Sequence, residues 1–261
     1  MAGRGVNLKD EEEVRDYLER LGTEYRFGCY YEKNPKACHL LGDYMESINK
    51  DFTKALKIYQ INCDTYRHGH SCHKAGGYYF AGRGCQRDVD IAYDYWRKGC
   101  DLHAKVPHSK ACFNAGLLDA LEPGTKIEGV SGHKSEEVER KKSQPDSTKA
   151  LELFKKSCDS EKPDAEACHR YASMLLTGFK GVIERSATKA LPYAAKACDL
   201  GVPEACVNTS IMYKKGDGVD KNERQAKIYA TVAKDIVEQM QEERQRTRFQ
   251  EGVESGTDVP L

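Results

Sequence analysis

Cysteine is the residue type whose number and spacing could carry chemistry in this sequence. The chain holds 11 cysteines among 261 residues. Ten of them form five consecutive pairs whose members stand 8 to 12 positions apart: Cys29 with Cys38, Cys63 with Cys72, Cys100 with Cys112, Cys158 with Cys168, and Cys198 with Cys206. Paired cysteines either hold a metal ion as thiolates or join as a disulfide.

The spacing within the pairs separates these two chemistries. Structural zinc sites use cysteines about two to four residues apart, so that two thiolates reach one ion, and none of the five pairs is that close. The longer spacing suits two helix ends joined by a short turn, where the Cα atoms come within the roughly 4.4–6.8 Å that a disulfide needs. We therefore predict five disulfides between consecutive cysteines and no bound metal or cofactor. Zinc sites and reduced core cysteines are the alternatives.

Cys85 is the thiol left without a partner in this scheme. It lies in the turn GRGCQRD, between Arg83 and Arg87. Two guanidinium groups favour the thiolate and a glycine-rich turn exposes it, so Cys85 is a candidate redox cysteine. The plainer interpretation is a spare surface thiol. No phosphate-binding loop, Ser/His/Asp order or pair of carboxylates stands out in the sequence, and we predict no catalytic residue.

The residues before the first cysteine of a pair repeat along the chain and define one kind of helix. Alanine stands eight positions before the cysteine in ALKIYQINC, AYDYWRKGC, ALELFKKSC and ALPYAAKAC, which end at Cys63, Cys100, Cys158 and Cys198. Bulky apolar or aromatic residues fill the positions five and four before it, except for one alanine, Ala194. These positions share one face of a helix with 3.6 residues per turn.

The residues after the second cysteine define another kind of helix. A small residue stands four positions after it in every case: Gly42, Gly76, Gly116, Ala172 and Ser210. A bulky apolar residue follows two positions later: Tyr44, Tyr78, Leu118, Met174 and Met212. A small residue on a packing face lets a neighbouring helix approach closely, which outweighs the ~1 kcal/mol cost of glycine inside a helix.

Two helices per unit predict an all-α solenoid of αα-hairpins in the tetratricopeptide size class. The first cysteines recur at intervals of 34, 37, 58 and 40 residues. We expect a single domain over 1–249 with about five repeats, joined by disulfides, at 34–67, 68–104, 108–160, 164–201 and 202–240. A helix over 10–27 and another over 221–248 would cap the array. The polar stretch 122–146 predicts a loop insertion, and residues 250–261 a disordered tail.

Histidine follows the second cysteine three times, as Cys38-His39, Cys72-His73 and Cys168-His169. Because these dipeptides recur once per repeat, we expect them to be spread along the solenoid rather than to converge on one ion. The sequence also holds a local cluster, His68, His70 and His73. We interpret its members as surface histidines, with metal or haem ligation as the alternative.

Charge and hydropathy exclude two classes of function. Lys+Arg and Asp+Glu each number 41, so the net charge is zero, which argues against a nucleic-acid binder or a polybasic membrane patch. No run of about 18 apolar residues could span a bilayer. The N-terminal stretch has no secretory apolar core and is too acidic for a transit peptide. Disulfides persist in oxidising compartments, so the mitochondrial intermembrane space fits, with unconventional secretion as the alternative.

The repeat itself resembles a known family. The pattern A-L-x-[ILY]-[YWFA]-x3-C followed by AC-x3-G is similar to the Sel1-like repeat, and cysteines paired across helix ends resemble its cysteine-rich branch. The segments Glu11–Glu19, Cys29–Ile48 and Ala197–Lys221 resemble, more specifically, the mitochondrial members that serve the assembly of respiratory complex IV. This resemblance covers nearly the whole chain and is weakest over 122–146 and the last dozen residues.

The resemblance implies a soluble protein of the intermembrane space that complex IV needs for its assembly. It also implies import through the disulfide relay, whose oxidoreductase would dock on aromatic residues four positions before a thiol, such as Tyr59 and Trp96. We therefore expect a non-enzymatic, monomeric scaffold that binds proteins, not nucleic acid or membrane. The alternative is a thiol–disulfide oxidoreductase, using Cys85 or the Cys29/Cys38 pair, or a haem- or metal-handling protein, acting on cysteine-bearing copper chaperones.

Overall fold

Helices make up the regular structure of the chain. The computed structural model describes residues 6–7, 9–100, 108–121, 146–179 and 181–254, with side chains up to residue 247. Its helices are α1 (Glu11–Tyr30), α2 (Pro35–Ser47), α3 (Phe52–Tyr66), α4 (Gly69–Ala81), α5 (Val89–Cys100), α6 (Ser109–Asp119), α7 (Ser147–Cys158), α8 (Ala165–Thr177), α9 (Ala187–Asp199), α10 (Pro203–Lys215) and α11 (Glu223–Glu254). The described residues add one isolated bridge, between Phe179 and Ile183, and no strand. The predicted all-α class is confirmed.

Within each of two compact units, consecutive helices pack against each other. The chain divides into two compact units, residues 1–161 and 162–261. In the first unit α1 to α7 pack in sequential order, and α4 also contacts α6 while α3 contacts α5. In the second unit α8 to α11 pack in sequential order as well. Sequential packing of helix pairs is the arrangement of an αα-repeat array. That residues 1–249 form one domain stays a prediction.

The end helices are longer than the sequence pattern indicates. α1 begins after Asp10, whose carboxylate accepts from the backbone N–H groups of Glu12 and Glu13. α11 continues to Glu254, so residues 250–254 of the expected disordered tail are helical. Residues 255–261 lie outside the described residues, as does the expected insertion at 122–146 apart from Asp146, the N-cap of α7.

Helix starts and ends follow local chemistry. Short polar side chains accept a backbone N–H in the first turn of several helices, namely at Asn34, Asp51, Asp146, Asp164 and Ser186. Such caps satisfy donors that have no partner within the helix. Gly82 and Gly216 end α4 and α10 with φ of +67° and +75°, a conformation that glycine adopts without steric cost.

The repeated small residues receive a large side chain from the next helix. A Cβ added at Gly42 would overlap the ring of Tyr59, one at Gly76 the indole of Trp96, and one at Gly116 the ring of Phe154. These three rings are buried. In the second unit Ser210 of α10 takes the same position, and its hydroxyl donates to the carbonyl of Ala226 on α11 at 2.7 Å. Close helix approach thus explains why the small residues recur.

Candidate functional site

Four disulfides join the end of one helix to the start of the next. They link Cys29 to Cys38, Cys63 to Cys72, Cys100 to Cys112, and Cys198 to Cys206, with Cα atoms 4.4–4.8 Å apart. Cys158 and Cys168 are disulfide-bonded as well. The ten cysteines are nearly or completely buried. The four bonds with given geometry therefore lie inside helix–helix contacts, those of α1 with α2, α3 with α4, α5 with α6, and α9 with α10, rather than on an open surface.

The free thiol of Cys85 is half-buried. Its Sγ donates to the carbonyl of Tyr78 at 3.7 Å. Burial, and then the negative charge of Asp88, raise the pKa of the thiol above its ordinary value. Both effects disfavour the thiolate and argue against an activated cysteine, so a redox role of Cys85 stays a prediction.

The two arginines beside Cys85 are engaged elsewhere. The Arg83 guanidinium pairs with Glu46 at 3.1 Å and lies over the ring of Phe52. The Arg87 Nε donates to the carbonyl of Phe80 at 2.9 Å, and the guanidinium lies over the Phe80 ring. Sequence neighbours therefore do not act as charge partners of the sulfur, because the turn directs them to other groups.

Five histidines of the first unit form one cluster, which we call the histidine cluster: His39 on α2, His68, His70 and His73 at the start of α4, and His108 before α6. The ring centres of His39, His68 and His70 are 5.1–5.6 Å apart. His108 extends the cluster, with ring centres 4.4 Å from His70 and 4.8 Å from His73. His39 and His73 themselves are joined only through the rings of His70 and His108, so the expectation that they do not converge on one ion stays a prediction.

Hydrogen bonds hold several of these rings in place. The Nδ1 atoms of His39 and His68 lie 3.1 and 3.2 Å from the same hydroxyl, Ser71 Oγ. That oxygen also accepts from Asn62 Nδ2 at 2.7 Å. The Nε2 atom of His73 lies 3.3 Å from Asn114 Nδ2 on α6. Residues of α2, α3, α4 and α6 therefore position the cluster together.

Burial favours the neutral form of four rings in the histidine cluster, those of His39, His68, His73 and His108. Burial, together with the charges of neighbouring histidines and lysines, lowers the pKa of His68 and of His73 to about 4 and that of His108 to about 3. Burial also lowers the pKa of His39, although the charge of Asp43 opposes this effect. Neutral imidazoles offer hydrogen bonds and metal-ligating nitrogens rather than positive charge.

A charged network borders the cluster. The Tyr59 hydroxyl donates to Asp43 at 2.6 Å and to Glu46 at 3.1 Å, and burial together with these carboxylates raises its pKa. Lys74 donates to Glu46 at 2.8 Å, and this bond helps to lower the pKa of that carboxyl although burial opposes it. The network joins α2, α3 and α4 through polar contacts.

Sequence reasoning found His68, His70 and His73 but missed the contributions of His39 and His108. The signal for His39 was present, because His39 and His73 hold the same position in adjacent repeats. The rings of His70 and His108 connect them, with ring centres 5.6 Å between His39 and His70, 4.4 Å between His70 and His108, and 4.8 Å between His108 and His73. Among the described residues no group of three His, Cys, Asp or Glu side chains is already placed to hold a metal ion. None of the described helices has the length and apolar content needed to span a bilayer.

Comparison with known proteins agrees with the fold and the repeat. The model of the Sel1 repeat family matches residues 35–61, 69–103, 141–161, 165–202 and 203–235. The solved structure of a Sel1 repeat protein from Oxalobacter formigenes is similar with a TM-score of 0.63, covering 88% of this chain and 85% of that one at 18% identity. Such a distant likeness concerns the fold alone. Fold and cysteine ladder together define an αα-repeat protein of the Sel1 type.

Relatives of higher identity cover nearly the whole chain. Cytochrome c oxidase assembly factor 7 from Xenopus tropicalis is 38% identical over 252 residues, covering 96% of this chain and all 100% of that protein. The Drosophila melanogaster homolog and the Homo sapiens protein are each 36% identical, covering 95% and 92% of this chain. The chain belongs to the Sel1-repeat proteins and, within them, to the family of cytochrome c oxidase assembly factor 7. The resemblance drawn from the sequence is thereby confirmed.

Proposed function

We propose that this chain is an assembly factor for cytochrome c oxidase, complex IV of the respiratory chain, and that it acts in the mitochondrial intermembrane space as a disulfide-stabilised scaffold for other proteins. One observation carries the proposal: relatives named for this role align with 90–96% of the chain at 36–38% identity. A scaffold role agrees with the sequential helix pairs, since repeat arrays offer extended binding surfaces.

The cysteine bonds support the proposed compartment. Ten cysteines are disulfide-bonded, and such bonds persist in oxidising spaces but are rare in the cytosol. Import of the chain into this compartment through oxidation of its cysteines is part of the proposal. Tyr59 and Trp96, on which a relay oxidoreductase would dock, are 0% and 4% exposed in the folded chain. The oxidoreductase would therefore have to meet these rings before the repeats close.

A non-enzymatic mode of action is supported by the state of Cys85. A thiol–disulfide oxidoreductase needs a cysteine that ionises readily, whereas burial raises the pKa of this thiol. A redox titration tests the oxidoreductase alternative. Bonds that only join helices should have potentials below about −300 mV, whereas a catalytic pair such as Cys29/Cys38 would be reduced at higher potential.

Deletion and rescue in cells test the proposed function. Cells that lack the protein should lose assembled complex IV on native gels, while complexes that do not contain it assemble normally. Wild-type protein and the Cys85→Ser variant should both restore complex IV. Protease protection in intact mitochondria, lost after rupture of the outer membrane, should mark the intermembrane space. Normal complex IV without the protein would overturn the assembly role, and a matrix location would overturn the proposed compartment.

The histidine cluster favours a second candidate function, the handling of a metal ion or haem. Imidazole is a common ligand of both, and the rings of His39, His68 and His70 lie close enough for rotation to direct their nitrogens toward one centre. The described residues hold no such arrangement ready-made, so binding would require the rings to leave the hydroxyl of Ser71.

Titration with Zn²⁺ and, separately, with ferric haem tests this second function. Calorimetry measures binding of Zn²⁺, and the shift of the haem absorption band measures binding of haem. Binding to the wild type that is lost in a triple His39→Gln, His68→Gln, His70→Gln variant would support it. The His169→Gln variant is the matched control, because this histidine belongs to the second unit. Binding that survives in the triple variant would exclude the histidine cluster as the site.

A further inference from the structure

The second unit carries an open groove between its last two helices, which we call the terminal groove. Its floor is apolar, with Val207 of α10 and Ala230, Ala233 and Val237 of α11, and Glu204 and Lys234 stand at its rim. The cavity measures about 560 Å³. Within the described residues 203–247, Val207 stays 46% exposed and Val237 40% exposed. Two branched apolar side chains are thus left in solvent where two helices meet.

The repeat pattern identifies the surface in the first unit that is equivalent to the terminal groove. Val207 follows Cys206 as His39 follows Cys38. Ala233 stands seven positions after Ala226, as Asn62 stands seven after Ala55. The terminal groove of α10 and α11 therefore corresponds to the surface that α2 and α3 form in the first unit.

That earlier surface is occupied by the start of a helix. Ser71 of α4 lies over it, accepting from Asn62 Nδ2 at 2.7 Å and contacting His39 Nδ1 at 3.1 Å. The next repeat shows the same contact, since a Cβ added at Gly99 of α5 would lie 2.9 Å from the Cβ of Ala111 on α6. A small residue of an incoming helix meets this position in both cases. Ala233 holds the equivalent position at the base of the terminal groove, where it is 5% exposed. Among the described residues, α10 is the helix that packs against α11.

We propose that the terminal groove binds an amphipathic helix of a partner protein, seated as α4 is seated on α2 and α3. The groove continues the series of helix interfaces that builds each unit. The partner helix would place alanine or serine against Ala233 and apolar side chains against Val207 and Val237. The lining residues on α11, from Ala230 to Gln241, span about three turns, or roughly 16 Å of helix.

Charge specifies the partner further. Glu204 holds the position that Lys36 holds in the first unit, and the charge of Lys36 acts on His68 at the start of α4. An incoming helix would thus direct its first turn toward a carboxylate, so a lysine, arginine or histidine is expected there. A second copy of this chain is not the expected occupant. Its helices of the incoming type, such as α4 and α10, carry buried faces within their own units.

A helical peptide tests the groove directly. The probe is residues 67–81 of this chain with Cys72→Ser, which includes His68 and Ser71, stapled because an isolated helix of this length is marginal, and labelled for fluorescence anisotropy. The folded full chain should bind it. Val237→Glu and, separately, Val207→Glu should weaken binding about tenfold or more, since a charge would face the apolar side of the helix. Each side chain is more than a third exposed, so folding should survive, as circular dichroism would show.

Ile228→Glu is the matched control. Ile228 also lies on α11 and is 45% exposed, but it lines a different face, so its variant should bind like the wild type. No binding to the wild type, or equal binding to all variants, would overturn the proposal. Dimers in light scattering that Val237→Glu dissociates would also overturn it, by assigning the groove to a second copy. The proposal of a partner helix rests on the scaffold role proposed above. Because peptide binding in solution does not depend on complex IV, the groove proposal and the assembly role can each fail without the other.

Discussion

At the level of single residues, the Cys85 thiol donates to a backbone carbonyl and its pKa is raised by burial and by Asp88. Because the thiolate is the nucleophile, iodoacetamide should modify native Cys85 more slowly than it modifies glutathione at pH 7. Intact mass against time measures the rate. Protein unfolded in urea without reductant is the control, and there the same thiol should react at an ordinary rate. A native rate above that of glutathione would restore the redox interpretation.

The histidine cluster predicts how stability depends on pH. The folded pKa values of His68, His73 and His108 are about 4, 4 and 3, below the ordinary 6.5, so the unfolded chain binds more protons between about pH 6.5 and pH 4. The contribution of the neutral rings to stability is therefore complete above pH 6.5 and is lost as pH falls through this window. The urea midpoint should be lower at pH 4.5 than at pH 7.5.

A variant separates the histidines from the carboxylates, which also titrate at low pH. The His73→Gln, His108→Gln double variant should lose a clear part of the difference between the two pH values. His169→Gln, in the other unit, should keep it. If the double variant showed the full wild-type difference, carboxylates rather than the histidine cluster would account for the pH effect.

At the level of helices, two adjacent glycines of α4 give opposite predictions. A Cβ at Gly76 would overlap the indole of Trp96, whereas a Cβ at Gly77 would meet nothing within 4 Å. Gly76→Ala should lower the free energy of unfolding by about 1–3 kcal/mol through overpacking. Gly77→Ala should raise it by up to about 1 kcal/mol, because alanine favours the helix. Urea unfolding of the two variants checks both signs, and equal effects would contradict the packing account.

The helices themselves could be predicted from sequence. In the helices that end at the first cysteine of a pair, the alanine, aromatic and cysteine positions lie on one face at helical spacing. In the helices that begin at the second cysteine, the small residue marks where an aromatic ring packs. Helix ends were less predictable, as α11 shows by continuing to Glu254. Its last turns carry polar residues whose composition is also compatible with a disordered tail.

At the level of the whole molecule, the oxidation state of the cysteines is the first quantity to measure. We expect native protein treated with N-ethylmaleimide to gain one adduct, at Cys85, and protein reduced beforehand to gain eleven. Intact mass spectrometry counts the adducts. Eleven adducts without reductant, or zinc in stoichiometric amount, would contradict the disulfide ladder and remove the support it gives to the proposed compartment.

Removal of one bond tests its share of stability. The bond between Cys198 and Cys206 closes a loop of eight residues, and chain entropy assigns a bond of this kind about 2.5–3 kcal/mol. The Cys198→Ser, Cys206→Ser double variant should therefore unfold at a lower urea concentration, with a loss of about 2–5 kcal/mol that includes the cost of two buried hydroxyls. Cys85→Ser is the control and should change stability by less than about 0.5 kcal/mol. An unchanged midpoint in the double variant would contradict a stabilising role of the bond.

The amino-acid sequence by itself determined the helices, their repeat and the pairing of neighbouring cysteines. These features depend on residues at most about a dozen positions apart, and helical periodicity states which of them share a face. The tertiary structure alone decided that the arginines beside Cys85 contact other groups, that five histidines form one cluster, and that Val207 and Val237 of the terminal groove stay partly exposed. These depend on contacts such as that of His39 with Ser71, 32 positions away. Contacts of this kind are set by how helices pack and where side chains turn, which spacing along the chain does not specify.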